Sequence, residues 1–430
     1  MTSVVDVPAE KEPTAHARLV PRLAIFTSHP IQYQAPYFRA LAMSNRITPT
    51  VFFGSRHGLD ASLDTGFGTT FRWDVPLLDG YEHVFLNNVA HRPDVSRFTG
   101  VRTAGMIEEL GSGRFDALLV LGWQTAAHVQ AIQAAWSLGV PVLLRGESTL
   151  QRTSRAGVRS ALRRVVWLPA RQRLYRAAFS RVAAFLVIGT RNREYYRSFG
   201  VPDERCFWAP YGVDNAWFAL SEPARSLARA RVRRTIRVSD DAVVVASSAK
   251  LIARKRPTDL LDAVARIRGR GIAAHALFIG DGEERGALER RAAELGVADA
   301  CSIAGFVNQG ELPAWYAAAD ALVLSSDARE TWGLVVNEAM AAGLPVIVSD
   351  AAGCAPDLVD EGGNGFTYPC GDVDALTERL ARIVALGADG RQAYGDRSRS
   401  IVERFGVDIA AEATIAAARA VCARTKGGNR

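Results

Sequence analysis

Short apolar runs rich in β-branched residues alternate with amphipathic stretches of helix length along most of the chain. In the N-terminal half these runs predict strands at Leu23–Thr27, Thr50–Phe53, Ala117–Leu121, Val142–Leu144, Phe185–Ile188 and near Phe207. In the C-terminal half the same pattern predicts strands at Val243–Ser247, Ala276–Ile279, Ser302–Ala304, Ala321–Leu324 and Val346–Ser349. Strands that alternate with helices are typical of parallel sheets built from βαβ units. The pattern therefore predicts two doubly wound α/β sheets.

The two sheets predict a chain of two domains. A length of 430 residues exceeds the size at which a single hydrophobic core stops growing. We expect an N-terminal Rossmann-like domain over residues 21–215 and a C-terminal one over residues 216–404, facing each other across a central cleft. Residues 1–20 are polar and are expected to form a disordered tail. Residues 405–430 contain an Ala-rich helix, Val407–Ala423, which we expect to cross back to the first domain.

The composition favours a globular protein without a membrane span. Hydrophobic residues make up 48% of the chain and charged residues 23%. No apolar run reaches the roughly 18 residues that cross a bilayer, and residues 1–20 lack the apolar core of a signal peptide. The five cysteines form no C-x-x-C pair, and the seven histidines show no zinc-ligand spacing. We therefore expect a cytoplasmic protein with reduced thiols and no structural metal.

Residues 325–348 carry the strongest chemical signal. A strand ends there, a polar loop follows, and Gly343 ends the next helix. Glu330 lies in the loop and Glu338 about two turns into the helix, so roughly 8–12 Å separate them along the helix axis. This separation suits two ends of one extended ligand better than a shared proton.

The start of that helix is a candidate anion site. The backbone amides expected to be free there belong to Thr331, Trp332, Gly333 and Leu334. Free amides and the helix dipole both favour a phosphate. The alternative is an ordinary helix start flanked by two solvated glutamates.

The same residues resemble the E-x-F-G-x-x-x-x-E signature of the retaining GT-B glycosyltransferases of family four, with Trp332 where phenylalanine is commoner. The resemblance continues from Glu338 through Val346 to Gly353. It implies a GT-B fold and the transfer of a sugar from a nucleotide-sugar donor held by the C-terminal domain. It also implies that Glu330 faces hydroxyls of the donor sugar and that Glu338 holds the ribose.

A second matching segment, residues 247–257, follows the first strand of the C-terminal half. It resembles the family's G-R-L-x-x-x-K-G pattern, which implies that Lys250 and Lys255 bind the donor diphosphate. Lys250 replaces an arginine, so a point charge replaces a bidentate guanidinium. A basic loop facing solvent is the alternative. Further along, Gly280 and Gly282 would let the backbone approach a nucleotide closely.

No cofactor or metal is expected beyond the nucleotide-sugar co-substrate. Lys250, Lys255 and the helix N-terminus can neutralise a leaving diphosphate, and the chain has no D-x-D motif in a comparable loop. The resemblance implies retention at the anomeric carbon, with the leaving phosphate taking the proton of the acceptor.

Acceptor recognition is assigned to the N-terminal domain, where the family resemblance is poor. The loop after the first strand offers His29, Gln32 and Tyr33, and the end of the strand at Val142 is followed by Arg145 and Glu147. All five follow strands at their carboxyl ends, where ligands meet parallel sheets. A packed loop histidine and a buried structural Arg–Glu pair are the alternatives.

Positive charge is concentrated between Gln151 and Arg197. Twelve arginines, from Arg152 to Arg197, accompany a single acid there, Glu194, whereas the whole chain carries only +7. With interleaved apolar residues, this segment predicts contact with an anionic membrane surface or a lipid-linked acceptor. A solvated Arg-rich helix is the alternative.

Together these features predict a retaining, hexosyltransferase-type glycosyltransferase. Its acceptor would be a glycan, a glycolipid or a small-molecule intermediate of envelope or secondary-metabolite biosynthesis. It would be cytoplasmic or peripheral at the inner membrane face, with no nucleic-acid partner. The alternatives are a non-enzymatic nucleic-acid-binding protein, suggested by the pI of about 9.3, and a GT-B phosphorylase or epimerase.

Overall fold

The computed structural model describes residues 20–59, 62–64, 69–150 and 168–427. Its strands, in chain order, are β1 (Arg22–Thr27), β2 (Thr48–Phe53), β3 (Ser62–Asp64), β4 (Thr69–Phe71), β5 (Glu82–Phe85), β6 (Asn87–Asn88), β7 (Thr103–Ala104), β8 (Ala117–Leu121), β9 (Val142–Arg145), β10 (Ala184–Val187), β11 (Cys206–Trp208), β12 (Val243–Ser248), β13 (Ala274–Ile279), β14 (Cys301–Ile303), β15 (Ala321–Leu324), β16 (Val346–Ser349) and β17 (Gly365–Tyr368). Its helices are α1 (Ala35–Met43), α2 (Met106–Gly111), α3 (Ala126–Ser137), α4 (Leu168–Ser180), α5 (Thr190–Ser198), α6 (Asn215–Phe218), α7 (Glu222–Thr235), α8 (Pro257–Gly269), α9 (Arg285–Glu294), α10 (Leu312–Ala318), α11 (Leu334–Ala341), α12 (Ala355–Leu358), α13 (Val373–Ala385), α14 (Gly387–Val402) and α15 (Val407–Gly427).

Two open parallel sheets organise these elements. The N-terminal sheet has seven strands in the order β11-β10-β9-β8-β1-β2-β5, and the C-terminal sheet has six in the order β14-β13-β12-β15-β16-β17. The strand order reverses next to β1 and next to β12, and ligands of such sheets bind at the carboxyl ends beside these switch points. The predicted pair of doubly wound sheets is confirmed. The strands β5 and β17, which the pattern did not predict, complete one edge of each sheet.

The apolar runs become strands because both faces of each sheet are covered. Every residue of β12 is buried, and so is every residue of β13. Val244 and Ala246 pack in one core cluster with Met340 of α11, while Val245 packs on the other face with Leu260 of α8. Continuous apolar strands are what parallel sheets covered on both faces require.

The terminal helix α15 packs against the N-terminal domain. Ile415, Ala417 and Ala418 lie in the same core cluster as Phe38 of α1. The Tyr37 hydroxyl shares a 2.7 Å hydrogen bond with Thr414 Oγ1. The last helix of the chain thus covers the sheet formed by its first half.

Polar contacts join the two domains on both sides of the cleft. On one side, Thr190 Oγ1 donates to Asp357 Oδ1 at 2.6 Å. On the other, the Gly310 amide donates to Asp74 Oδ1 at 3.0 Å, and Asn308 Nδ2 donates to the carbonyl of Arg72 at 2.7 Å. These contacts fix how the two sheet edges face each other.

Candidate active site

Glu330 is held by two cations from the loop after β12. Its carboxylate pairs with the Lys255 ammonium, and Arg254 Nη1 lies 3.7 Å from the same oxygen. The side chains of Glu330 and Lys255 are only 12% and 14% exposed. Burial alone would raise the pKa of Glu330, but the charges of Lys255 and Arg254 outweigh it and hold that pKa below its usual value. The structure therefore brings together two residues that the sequence assigned to the sugar and to the diphosphate.

Glu338 opens into a cavity between the domains. The Tyr316 hydroxyl donates to Glu338 Oε2 at 2.6 Å. Burial raises the pKa of this carboxyl to about 7. The cavity has a volume of about 140 Å³, and its lining includes Gly280 of the C-terminal domain together with Gln32 and Trp73 of the N-terminal domain. A buried carboxyl that lines a cavity of single-ring size can accept hydrogen bonds from hydroxyl or N–H groups of a ligand.

Lys250 lies on the loop that connects β12 to Lys255, and its side chain is half-buried. The backbone of this loop is tied to the loop after β13, because the amides of Ala249 and Leu251 donate to the carbonyls of Ile279 and Asp281 at 3.1 and 2.8 Å. Both predicted diphosphate cations thus lie on one braced loop at the carboxyl edge of the sheet.

The helix that carries Glu338 begins about one turn later than the sequence predicted. It starts at Leu334, with Gly333 as its N-cap at φ 109°. That φ favours glycine, because a side chain would be strained there. The first amide bonded into the helix is that of Val336, which donates to the Gly333 carbonyl at 2.9 Å. The amides at the helix start are therefore those of Leu334 and Val335, while Thr331 lies in the preceding loop.

Trp332 is a core residue. Its side chain is 2% exposed, and its ring centroid lies 6.3 Å from that of Tyr211 and 6.1 Å from that of Phe405. Its Nε1 donates to Asn337 Oδ1 at 2.8 Å. The indole buries a large apolar surface and satisfies its single donor there. The indole side chain therefore serves the core, and the predicted role of Trp332 in donor binding, which concerned its backbone amide, stays a prediction.

Contacts within the protein leave no room for a side chain at Gly280 or Gly282. A Cβ at Gly280 would collide with the carbonyl oxygen of Ala249, and one at Gly282 with that of Leu251. Their small size lets the loops after β12 and β13 pack together. Gly280 also lines the cavity of Glu338, so its predicted proximity to a nucleotide stays a prediction.

Three of the predicted acceptor residues meet at the domain junction. Glu147 accepts a 2.5 Å hydrogen bond from the Tyr211 hydroxyl and a 3.4 Å one from Thr331 Oγ1 of the C-terminal domain. Tyr33 packs edge-on against Tyr211 at 5.6 Å. The Arg145 guanidinium lies 5.3 Å from the centroid of the same ring. Burial raises the pKa of Glu147, although nearby Arg145 opposes this.

The other two predicted acceptor residues, His29 and Gln32, have different surroundings. His29 contacts Ser28 Oγ through Nδ1 at 2.9 Å and packs edge-on against His57, and burial lowers its pKa to about 3. These surroundings favour the neutral form of a packed loop histidine, and a role of His29 in acceptor binding stays a prediction. Gln32 lines the cavity of Glu338, on the side assigned to the donor, because the loop after β1 reaches across the cleft.

Sequence reasoning did not assign Tyr316, Tyr211 and Trp73 to the site. Tyr316 and Tyr211 are fully buried tyrosines whose hydroxyls need partners, and each bonds a glutamate of the cleft. Trp73 reaches the cavity only through the docking of one domain on the other, a relation that no local pattern encodes.

The described part of the Arg-rich segment begins at α4, so residues 151–167 of that prediction lie outside the described residues. Arg171, Arg173 and Arg176 are exposed on α4, and Leu174 beside them is 66% exposed. No helix within the described ranges is long and apolar enough to cross a membrane.

Known structures share this architecture at low sequence identity. Anabaena HepE in complex with UDP and glucose matches with a TM-score of 0.66 and 16% identity, over 91% of this chain and 97% of that one. A glycosyltransferase from Rickettsia africae matches with a TM-score of 0.67 and 11% identity, over 94% and 98%. The fold is the GT-B fold, as predicted.

Sequence comparison finds a family match within the C-terminal domain. Residues 229–400 match the family model described as glycosyl transferases group 1. The GDP-mannose-dependent α-(1-6)-phosphatidylinositol monomannoside mannosyltransferase of Mycobacterium tuberculosis is 34% identical over 224 residues, which are 49% of this chain and 56% of that protein. The D-inositol 3-phosphate glycosyltransferase of Streptomyces bingchenggensis is 32% identical over 223 residues, 47% and 48% of the two chains.

The chain spans about half the length of these curated relatives. The match to the glycosyl transferases group 1 over residues 229–400 confirms the resemblance seen in the sequence of that segment.

Proposed function

We propose that this protein is a retaining glycosyltransferase that moves a hexosyl group from a nucleotide sugar to an acceptor bound by the N-terminal domain. The observation that carries the proposal is the Glu338 carboxyl, buried at a cavity of about 140 Å³ between the domains, with the Glu330–Lys255 pair on the same sheet edge. In this reading Glu338 binds the ribose, and Glu330 binds hydroxyls of the sugar.

The chemistry assigned to the site uses charges that the chain itself supplies. The bond from the anomeric carbon to the leaving phosphate oxygen breaks, and a bond to the acceptor oxygen forms on the same face of the sugar. The acceptor proton passes to the leaving phosphate. Lys250, Lys255 and the amides of Leu334 and Val335 stabilise the negative charge of the diphosphate, so we propose that no metal is required.

Similarity to the named relatives guides the choice of substrates. GDP-mannose is the first donor to test, because the mycobacterial relative is named for it. The names of the two relatives also support a phosphorylated inositol or an inositol lipid as acceptor, within the wider class of glycan, lipid-linked and small-molecule acceptors. Glu147, Tyr33 and Arg145 are the proposed acceptor-side residues.

The test is a donor screen followed by product analysis. GDP-mannose, UDP-glucose and ADP-glucose are supplied with inositol phosphates or lipid extracts, in excess chelator, and the first product is examined by proton NMR. An α-linked product from an α-configured donor is expected. A β-anomer contradicts retention, and activity restored only by magnesium or manganese contradicts metal independence. Sugar phosphate formed from a glycan, or an epimerised nucleotide sugar, would instead identify a phosphorylase or an epimerase.

A Glu338→Gln variant tests directly whether the buried carboxyl at the cavity binds the nucleotide. We expect it to fold and to bind the nucleotide more weakly, since a hydrogen bond to a charged group is worth about 1.5–3 kcal/mol. Unchanged donor binding in this variant, or a salt-sensitive DNA shift without any nucleotide-sugar binding by the wild type, would contradict the proposal.

A further inference from the structure

The cavity of Glu338 has walls from both domains. Ser248, Gly280 and Val307 contribute from the C-terminal domain, and Gln32 and Trp73 contribute from the N-terminal domain. A cavity of about 150 Å³ accommodates a benzene-sized ring, so about 140 Å³ suits a single ring of a nucleoside. A ring bound there touches the N-terminal domain as well as the domain that carries the family signature.

The side-chain oxygen of Gln32 is buried and has no hydrogen-bond partner among the described residues. Buried polar atoms nearly always have a partner, because leaving one unpaired costs free energy. Because Gln32 also lines the cavity, its side-chain amide lies next to the space that a ligand would occupy. An unpaired amide oxygen beside a cavity is a candidate acceptor for a hydrogen bond from a bound ligand.

Interdomain contacts hold this wall in place. The Asp74 carboxylate accepts from the Gly310 amide at 3.0 and 3.1 Å, and the Trp73 and Phe306 rings lie 6.3 Å apart. Phe306 also lines the cavity. The N-terminal wall is therefore braced against the C-terminal domain at the cavity itself.

The chemistry of Glu338 and Gln32, which both line the cavity, determines which ligand group fits there. Ionised Glu338 is an acceptor only, and the Gln32 oxygen is a second acceptor in the same cavity. A single ring that satisfies both must present two donors, and the ribose of a nucleotide carries two neighbouring hydroxyls. We propose that Gln32 accepts a hydrogen bond from a ribose hydroxyl of the donor nucleotide, so that both domains recognise the nucleoside. This inference rests on the proposed function.

The test measures nucleotide affinity by calorimetry in the full chain. UDP, GDP and ADP are compared first, and the tightest binder is then paired with its 2′,3′-dideoxy analogue. Gln32→Met removes the amide at nearly constant volume, and Gln392→Met, at an exposed position on α14, is the matched control. Gln32→Asn, which keeps the amide but withdraws it from the cavity, provides a second variant should the first not fold.

We expect Gln32→Met and Gln32→Asn to weaken binding of the ribonucleotide about three- to ten-fold, as the loss of one hydrogen bond predicts. Neither should weaken the dideoxy analogue further, and Gln392→Met should bind like the wild type. Wild-type affinity in the Gln32 variants, or an equal loss for both nucleotides, overturns the inference. Failure of the wild type to bind any of the three diphosphates contradicts the proposed function instead, so the two failures are distinguishable.

Discussion

Burial of Glu338 sets a pH range in which the site works. The pKa of this carboxyl is raised to about 7, so the group is protonated below that pH and ionised above it. Only the ionised form accepts hydrogen bonds with both oxygens. We therefore predict that nucleotide affinity falls as pH decreases from 8 to 6, measured by calorimetry. Glu338→Gln should bind weakly at every pH in this range, and an equally steep pH dependence in that variant would contradict the assignment.

The same burial predicts a cost to stability. Between pH 4.5 and about 7 the unfolded chain ionises this carboxyl while the folded protein keeps it protonated, so the free energy of unfolding decreases as pH rises through this range and then levels off. At pH 8, Glu338→Gln should thus stabilise the protein, by up to about 3 kcal/mol. Thermal unfolding at pH 8 and at pH 4.5 tests this, since the gain should vanish at the lower pH.

The Glu330–Lys255 pair predicts a different response to substitution. Lys255→Met leaves Glu330 buried with Arg254, at 3.7 Å, as its remaining cation among the described residues, and removing one partner of a buried pair costs about 3 kcal/mol. We expect a lower melting temperature and turnover reduced at least a hundredfold. The double variant Lys255→Met/Glu330→Gln should recover stability without recovering turnover. Recovery of both would mean that the pair is structural only.

At the scale of single elements, α15 makes a sharp prediction because its two faces differ. Ala417 is buried against the N-terminal domain, whereas its neighbour Ala416 is exposed. Ala417→Asp should lower the free energy of unfolding by several kcal/mol, because it places an unpaired charge in the core. Ala416→Asp is the matched control and should change it by less than about 0.5 kcal/mol. Equal effects in urea unfolding would show that α15 does not pack as described.

The elements also show what sequence patterns can predict. Strands such as Ala117–Leu121 and Val346–Ser349 were predicted with their observed bounds, because their apolar runs end at loop residues. The start of α11 was predicted too early, because a glycine N-cap with positive φ delays the helix to Leu334. The burial of the Trp332 indole was not predicted, because a motif fixes sequence spacing but not the direction of a side chain.

At the scale of the whole molecule, the arrangement of the two domains determines contacts that could not be predicted from the sequence. Gln32 and Trp73 line one cavity with Glu338 because the two domains dock, and the Asp74–Gly310 hydrogen bond is one of the docking contacts. Glu147 and Thr331 meet for the same reason, although 184 positions separate them in the chain. Single residues of the cleft could be predicted because they follow the ends of strands. The residues that they contact in the other domain could not be predicted.

Charge is also a property of the whole molecule. The segment from Gln151 to Arg197 holds twelve arginines and one acid in a chain of net charge +7, and α4 exposes three of these arginines. We predict that the protein binds vesicles containing phosphatidylglycerol. Substituting Arg171, Arg173 and Arg176 with glutamine should weaken binding roughly a hundredfold, at about 1 kcal/mol per charge.

Cosedimentation with vesicles at two salt concentrations measures this effect. The matched control substitutes three exposed arginines of the C-terminal domain, Arg234, Arg237 and Arg290, with glutamine. It should lose much less affinity. Equal losses in the two triple variants would indicate a diffuse charge effect and no membrane-facing surface.

The position of α15 has a consequence for how the protein is made. The strand β11, the last of the N-terminal sheet, is synthesised long before α15, because nearly the whole C-terminal domain lies between them in the chain. Until then the nascent first domain exposes the apolar face that Ile415, Ala417 and Ala418 later cover. Such a face on a growing chain is a binding site for chaperones and a seed for aggregation. The N-terminal domain expressed alone would remain permanently in that unfinished state.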